Sequence, residues 1–144
     1  MRKKPYNEIK ITLPAIAENE AVCRGCICQF AAKADPTVTE LADIRCAVSE
    51  AVTNCVVHAY RGGAGYIYIN ARLYDDGKLT VKIADKGCGI PDVALAMTPL
   101  YTTDKDGERS GMGFAIMQSF CDRLKVTSKV GAGTVVFMEK YLKR

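Results

Sequence analysis

The sequence of 144 residues lacks the features that mark membrane, secreted or disordered proteins. No window of about 18 residues, the length of a bilayer-spanning helix, is both apolar and free of charged side chains. No apolar run follows the basic N-terminus, so no secretory leader and no membrane contact are expected. Repeats and low-complexity stretches are also missing, and the hydrophobic share of 49% excludes disorder. We therefore expect a single domain over residues 1–144.

A basic surface for nucleic acid is not expected either, although the formal net charge is +4. Of the 20 basic residues, six lie at the two ends of the chain, namely Arg2, Lys3, Lys4, Lys140, Lys143 and Arg144. Between residues 5 and 139 the 16 acidic residues outnumber the basic ones. The sequence therefore predicts no nucleic-acid-binding face and no direct contact with DNA.

The single histidine limits metal chemistry, although the chain has seven cysteines. Cys23, Cys26 and Cys28 contain one C-x-x-C spacing, but a closed zinc site would need a fourth ligand from elsewhere. The odd number of cysteines and the absence of a leader favour reduced core thiols, with Cys46 and Cys55 inside a helical pattern. We expect a cytoplasmic protein.

Hydrophobic periodicity predicts an α+β order of elements. Alternating polarity predicts strands at residues 8–13, 66–74, 79–85, 125–128 and 134–138. Helical spacing predicts helices at residues 19–34, 37–59 and 114–121. Thr37 and Glu40 have the spacing of a capping box at the start of the second helix.

Residues 86–113 break this periodicity, with five glycines and two prolines. At most a short helix is expected near residues 93–97. A loop of about 20 residues without its own structure is uncommon in a compact domain unless it acts as a lid or a binding loop. The loop is therefore the first indication of function.

Two polar residues interrupt the apolar second helix. Glu50 and Asn54 are four residues apart and so project from one face, and His58 continues the row. An asparagine oxygen suits Mg²⁺, and a glutamate can accept a proton from a hydroxyl group. The alternative is that both side chains simply find backbone partners, since unpaired polar groups are costly on such a helix.

Glycine-rich segments follow a predicted strand and precede the third predicted helix. Asp85, at a strand end, is followed by Gly87 and Gly89, so its carboxylate can accept a hydrogen bond from a base amine; the alternative is a turn capped by aspartate. Arg109-Ser110-Gly111-Met112-Gly113 can offer a cap, backbone N–H groups and a positive charge to an anion. The sequence contains neither a P-loop nor a dinucleotide fingerprint.

Taken in order, Glu50, Asn54, Asp85-x-Gly87-x-Gly89, Gly111-x-Gly113 and Gly133-Thr134 resemble the nucleotide site of the GHKL superfamily. This superfamily includes gyrase, MutL-type repair proteins and histidine kinases, and it has the Bergerat ATP-binding fold. Residues 49–54, 99–103 and 108–114 resemble the anti-sigma serine kinases of sporulation and stress control. Residues 19–20, Arg24 and residues 35–37 are most similar to the sporulation member.

The resemblance implies a two-layer α/β sandwich, with helices on one face of a mixed, mostly antiparallel sheet. It also implies an ATP and Mg²⁺ site in which Asn54 coordinates the metal and Glu50 is the general base. Asp85 would hold the adenine amine, and Thr134 would assist Asp85 through its hydroxyl or a water. Gly87 and Gly89 would leave room for the base.

The phosphate side of the implied site lies in and beside a lid at about residues 90–112. Gly111 and Gly113 would cradle phosphates, and Arg109 would act nearest the γ-phosphate. Other residues expected at the nucleotide are Thr102, Thr103, Ser110 and Met112.

The resemblance finally implies a serine/threonine protein kinase that also inhibits a sporulation-type sigma factor in an ATP- or ADP-dependent way. Its substrate would be a serine of an anti-anti-sigma protein with a STAS domain, and Arg24 would contact both partners. A homodimer is expected through an exposed N-terminal strand region near Ile9 and Ile11. The alternatives are a stress-response paralogue and a non-catalytic, ATP-dependent sigma-binding module. A histidine kinase fragment is disfavoured because His58 follows Asn54 by one turn.

Overall fold

The computed structural model describes residues 3–61, 63–97 and 113–142. The strands are β1 (Asn7–Pro14), β2 (Tyr66–Leu73), β3 (Lys78–Ala84), β4 (Arg123–Lys129) and β5 (Gly133–Tyr141). The helices are α1 (Asn19–Ala31), α2 (Val38–Asn54), α3 (Val93–Ala96) and α4 (Gly113–Phe120). None of the helices in these ranges has both the length and the apolar character needed to cross a membrane.

The five strands form one sheet in the order β1-β2-β3-β5-β4. Every pairing among them is antiparallel, and turns at residues 74–77 and 130–132 join β2 to β3 and β4 to β5. Because β5 inserts between β3 and β4, the end of β3 lies beside the start of β5. The predicted α+β class is confirmed, and the sheet, which was predicted to be mixed and mostly antiparallel, is antiparallel in each of these pairings.

The core lies between one face of the sheet and the layer formed by α1, α2 and α4. The period of two in β2 places Ile67, Ile69, Ala71 and Leu73 on the buried face. These side chains join one buried cluster with residues of α1 and α2 and with Met117 of α4. The predicted two-layer sandwich with helices on one face of the sheet is confirmed.

The start of α2 is fixed by the predicted capping box. The Thr37 hydroxyl accepts a hydrogen bond from the Glu40 backbone N–H at 3.1 Å, and the Glu40 carboxylate accepts one from the Thr37 N–H at 2.8 Å. Two N–H groups that would otherwise lack partners at the helix end are thereby satisfied.

The end of this helix differs from the sequence prediction. The chain stays coiled to Ala59, but Cys55–Ala59 form a wider, π-helical turn. The carbonyl of Ala59 accepts a hydrogen bond from the Cys88 N–H at 2.8 Å. The wide turn thus joins the end of α2 to the segment that follows β3, and such turns are frequent at functional sites.

Two expectations about exposure are wrong. Cys46 lies on the exposed side of α2 and not in the core, because it falls outside the apolar stripe that includes Val48 and Val52. Ile9 and Ile11 of the edge strand β1 are half-buried and pack against the core. The strand period turns them inward, so solvent meets the unpaired backbone edge of β1 and the alternate side chains such as Lys10.

Candidate functional site

A cavity of about 110 Å³ lies between the end of α2, the segment after β3, the first described turn of α4 and the start of β5. Five residues expected at the nucleotide line it, namely Asn54, Asp85, Gly89, Gly113 and Thr134. The wall also contains Cys55, His58 and Cys88. The structure therefore brings together residues that lie up to 80 positions apart in the sequence.

Asp85 stands at the base of the cavity, immediately after β3, with only 8% of its surface exposed. Its Oδ1 atom accepts backbone N–H groups from Gly87 at 2.9 Å and from Thr134 at 3.2 Å. Its Oδ2 atom accepts the Cys55 thiol at 3.7 Å. Because a thiol is a weak donor, Oδ2 keeps most of its acceptor capacity for another group.

Burial has the largest effect on the pKa values of Asp85 and Cys55. Removal from water raises the pKa of Asp85 above its ordinary value, and the hydrogen bonds from Gly87, Thr134 and Cys55 offset only part of that effect. Burial also raises the pKa of Cys55, and the neighbouring Asp85 raises it further. The Cys55 thiol therefore stays protonated and donates to the carboxylate.

Thr134 contacts Asp85 differently from the sequence expectation. The contact is made by the Thr134 backbone N–H, while its hydroxyl lies 2.8 Å from the Ser128 hydroxyl. Ser128 also accepts the Ile90 N–H at 2.7 Å and donates to the Gly133 carbonyl at 3.0 Å. Ser128 thus anchors the segment after β3 to the β4–β5 hairpin.

The glycines after Asp85 have a task within the fold. A Cβ atom on Gly87 would collide with the backbone carbonyl of Ala59. One on Gly89, where φ is +78°, would collide with the backbone carbonyl of Lys129. Each glycine therefore permits close contact between two backbone segments, and the expectation that they also leave room for the base stays a prediction.

Glu50 and Asn54 meet α4 on the opposite side of the cavity. A Cβ atom on Gly113 would lie 3.2 Å from Glu50 Oε2 and 3.6 Å from Asn54 Oδ1. Glu50 is half-buried and stands next to the cavity lining, one helical turn before Asn54. The carboxylate and the amide therefore converge on one end of α4.

The amide of Asn54 has an unused donor at this end of the cavity. Its Nδ2 atom is buried and has no hydrogen-bond partner within residues 3–61, 63–97 and 113–142. An unpaired buried amide nitrogen costs free energy, and a ligand that accepts its hydrogen bond would remove that cost. The oxygen of the same amide is a ligand type suited to Mg²⁺. The donor set therefore fits a magnesium-bound polyphosphate.

Arg24 lies away from the cavity, on α1. Its guanidinium group forms an ion pair with Glu20 at 3.3 Å, and 36% of its side chain stays exposed. Glu20 also accepts the hydroxyl of Ser49, the neighbour of Glu50 on α2. The surface around Arg24 thus touches the helix that bears the proposed base.

Several predicted positions fall outside the described residues, so the structure does not place them. They are Thr102, Thr103, Arg109, Ser110, Gly111 and Met112. The short helix predicted near residues 93–97 is observed as α3, and Asp92 caps it by accepting the Leu95 N–H at 3.0 Å.

Sequence reasoning missed Cys55 and Ser128. Cys55 was assigned to the core on its helical spacing, and only the tertiary fold shows its thiol facing Asp85. Ser128 lies near the end of a predicted strand and has no motif of its own. A polar side chain at the end of a strand that faces a glycine-rich segment is the one signal that could have indicated it.

Comparison with known families and proteins gives one consistent result. Residues 13–140 match the family model described as a histidine kinase-like ATPase domain. A protein named anti-sigma F factor from Caldanaerobacter subterraneus subsp. tengcongensis is 48% identical over 138 residues, which are 96% of each chain. The anti-sigma F factor of Clostridium acetobutylicum is 44% identical over 134 residues, which are 93% of each chain.

Solved structures support the same fold. A Mycobacterium tuberculosis structure that contains RsbU and RsbW domains superposes with a TM-score of 0.70 at 22% identity. The match covers 97% of this chain and 33% of that one. The mycobacterial sensor histidine kinase MprB gives a TM-score of 0.59 at 15% identity, with coverage of 94% and 99%. At these identities the likeness concerns the fold alone.

Proposed function

Since this chain belongs to the histidine kinase-like ATPase family and its near relatives are anti-sigma factors, we propose that it is an ATP-dependent protein-serine/threonine kinase that also inhibits a sporulation-type sigma factor. Its phosphorylation substrate would be a STAS-domain anti-anti-sigma protein. The family carries the assignment of an ATP-binding anti-sigma factor. The kinase activity rests on the geometry of the cavity.

One observation carries the proposal. The buried carboxylate of Asp85 and the unpaired buried amide of Asn54 line the same cavity. A carboxylate oxygen recognises an exocyclic amine, whereas a neutral amide oxygen recognises a hard cation. A ligand with an amine at one end and metal-bound phosphates at the other satisfies both, and ATP is such a ligand.

The chain's own residues then have separate tasks. Asp85 orients the base through Oδ2, because its Oδ1 is held by two backbone N–H groups. Asn54 would hold Mg²⁺, which when bound neutralises phosphate charge during transfer. Gly113, in the first described turn of α4, lines the same cavity beside Glu50 and Asn54.

Glu50 would act as the base. Its carboxylate lies beside Gly113, one turn from Asn54, so it is next to the position that the phosphates would occupy. From there it can accept the proton of a serine hydroxyl presented by the partner protein. Residues of the lid, including Arg109, would complete the site.

The partners would approach on the helical layer. Arg24 is half-exposed on α1, and its ion pair to Glu20 leads to Ser49 beside Glu50. Binding of a sigma factor or of the STAS protein at Arg24 would therefore be close to the base. A homodimer would use the open backbone edge of β1, and sedimentation of a monomer at micromolar concentration would contradict it.

The test is phosphate transfer to a STAS-domain protein by Glu50→Gln. We expect the rate to fall by at least about a hundredfold, the usual contribution of a general base, while Mg²⁺-ADP affinity stays within about twofold. Glu18→Gln, a change at an exposed glutamate before α1, is the matched control and should leave the rate unchanged.

A wild-type rate in Glu50→Gln would remove the assigned base. Retained ADP binding with no transfer by the wild-type protein would indicate a non-catalytic sigma-binding module. Loss of adenine-nucleotide binding in the wild type would overturn the whole proposal.

A further inference from the structure

The sheet has a second face, turned away from α1, α2 and α4, which we call the outer face. It comprises the side chains that alternate with the buried ones along each strand. On β2 these are Tyr66, Tyr68, Asn70 and Arg72, which are exposed or half-buried. The strand register determines which residues of the five strands stand side by side on it.

One row of the register alternates lysines with uncharged residues across all five strands. Lys10 pairs with Asn70, Asn70 with Lys82, Lys82 with Phe137, and Phe137 with Lys125. The three lysines are exposed, whereas Asn70 and Phe137 are half-buried between them. The row therefore presents a cation on every second strand.

The neighbouring rows of the sheet also carry mainly positively charged side chains. Four further basic residues have outward positions, namely Arg72, Lys78, Arg123 and Lys129. Two acidic residues share the face, Glu8 and Glu139. Seven basic side chains thus stand against two acidic ones, whereas the whole chain has a net charge of only +4.

Little of this charge is neutralised within the protein. Glu8 pairs with Arg72 at 2.5 Å, and the Lys78 ammonium lies 4.5 Å from the centre of the Tyr74 ring. Lys82 and Lys125 have no ion pair to any residue in the described part of the chain. The like charges on this face repel one another. Binding of a negatively charged group there would therefore be favourable.

Part of the face is also concave. A groove of about 340 Å³ lies over β1, β2, β3 and β5 but not β4, and its walls include Lys10, Arg72, Lys78 and Lys82. Glu139 and Phe137 also line the groove. The surface thus combines cations with one carboxylate and one apolar ring.

We propose that the outer face docks an acidic segment of a partner protein. Charge complementarity fixes the sign of the partner, and like-charge repulsion disfavours a second copy of this chain. Glu139 argues against nucleic acid, because a phosphate backbone would bring uniform negative charge against that carboxylate. A protein segment can place carboxylates at the lysines and a donor at Glu139.

The spacing suits a helix that crosses the strands. Lysines on alternate strands are separated by about 10 Å, twice the interstrand distance. Carboxylates seven residues apart on a helix are separated by about 10.5 Å. An acidic helix with this heptad spacing would therefore meet Lys10, Lys82 and Lys125 in turn.

Binding of a labelled helical peptide with glutamates in heptad spacing, followed by fluorescence anisotropy at low salt, tests this proposal. The full-length protein is compared with the triple variant Lys10→Gln, Lys82→Gln and Lys125→Gln. We expect the variant to lose at least about tenfold in affinity, because three exposed ion pairs are removed. A glutamine version of the peptide should not bind either protein.

The control is a second triple variant, Lys3→Gln, Lys4→Gln and Lys33→Gln, which removes the same net charge elsewhere on the surface. It should keep the affinity within about twofold, and neither variant should show a loss of folded structure at the temperature of the assay. These readouts do not depend on nucleotide binding, so they are separate from the proposed kinase function.

Three results would overturn the proposal. Equal loss in both triple variants would indicate attraction to the net charge only. A single-stranded RNA of matched charge that binds more tightly than the peptide, and only to the intact face, would indicate a nucleic-acid surface. Self-association that competes with the peptide would indicate a contact between copies of this chain.

Discussion

At the scale of a single residue, the proposed function makes two conflicting demands on Asp85. The side chain would have to be buried to be specific for the ligand and ionised to accept a strong hydrogen bond from an amine. Burial raises its pKa, and two backbone N–H groups and the Cys55 thiol counteract that effect. The protein therefore carries a partly compensated buried charge where the proposed function needs it.

We predict that Asp85→Asn separates stability from binding. The amide oxygen can still accept the Gly87 and Thr134 N–H groups, so the free energy of unfolding at neutral pH should not fall. ADP affinity should fall by about tenfold or more, because a charged acceptor is lost from the site. Isothermal titration and urea unfolding measure the two effects, and Asp75→Asn in the exposed turn after β2 is the control.

The difference in stability between Asp85→Asn and the wild type should depend on pH, and its direction follows from the raised pKa of Asp85. The folded state binds the proton of Asp85 more tightly than the unfolded chain does. The associated stability is therefore present below the ordinary pKa of aspartate and is lost as the pH rises through the raised folded pKa. The stability of Asp85→Asn relative to the wild type should rise across that window and then level. A constant difference would contradict the assigned shift.

It was easier to predict from the sequence which residues belong to the candidate site than to predict the contacts that they make. Glu50, Asn54 and Asp85 could be selected from the sequence because polar groups at these positions are costly unless they serve a purpose. The donor from Thr134 to Asp85 could not be selected correctly, since it is a backbone N–H that only the register of β5 places there. The purpose of Gly87 and Gly89 depends equally on distant backbone segments.

At the scale of elements, the segment after β3 is held by neighbours on both sides. The Ala59 carbonyl at the end of α2 accepts the Cys88 N–H, and Ser128 of β4 accepts the Ile90 N–H. Cys88 and Ile90 both line the cavity. The segment after β3, which forms this wall of the cavity, is thus positioned by two elements that are distant from it in the sequence.

We predict that Ser128→Ala weakens both folding and nucleotide binding. It leaves the Ile90 N–H and the Gly133 carbonyl without a side-chain partner, which should cost about 1–3 kcal/mol in the free energy of unfolding. ADP affinity should fall severalfold because Ile90 is no longer anchored. Ser119→Ala is the control, since within the described residues that hydroxyl donates to the Ala115 carbonyl of the same helix. Equal effects of the two changes would exclude the anchoring role.

Elements that local chemistry determines were predicted closely. The capping box at Thr37 fixed the start of α2, and alternating polarity located β1, β2 and β3 within about two residues. The π-helical turn at Cys55–Ala59 was not predicted, because its residues have ordinary helical spacing. Its geometry is set by the tertiary contact with the segment after β3.

At the scale of the whole molecule, basic side chains are concentrated on one face of the sheet. The net charge of the sequence does not reveal this concentration. The interior of the sequence has a small acidic excess, which led to the expectation of no nucleic-acid-binding face. The strand register nevertheless collects Lys10, Lys82 and Lys125 on the outer face. Alternation hides such a surface, since each lysine stands alone between apolar neighbours in the sequence.

We predict that added salt stabilises the protein through this face. Raising NaCl from about 10 mM to about 200 mM shortens the screening length from about 30 Å to below 10 Å, which weakens repulsion among the cations. The melting temperature should rise by a few degrees, and the rise should be smaller in the variant with glutamine at positions 10, 82 and 125. A fall in melting temperature with salt would contradict net repulsion.

The wide turn at Cys55–Ala59 contains about one residue more than an α-helical turn would. Removing one residue there would restore regular α-helix, so Glu50 and Asn54 would keep facing the cavity. The loss should instead be felt where the Ala59 carbonyl meets the Cys88 N–H. A chain with a shorter turn should consequently keep the polar pair of α2 in place and hold the segment after β3 less firmly.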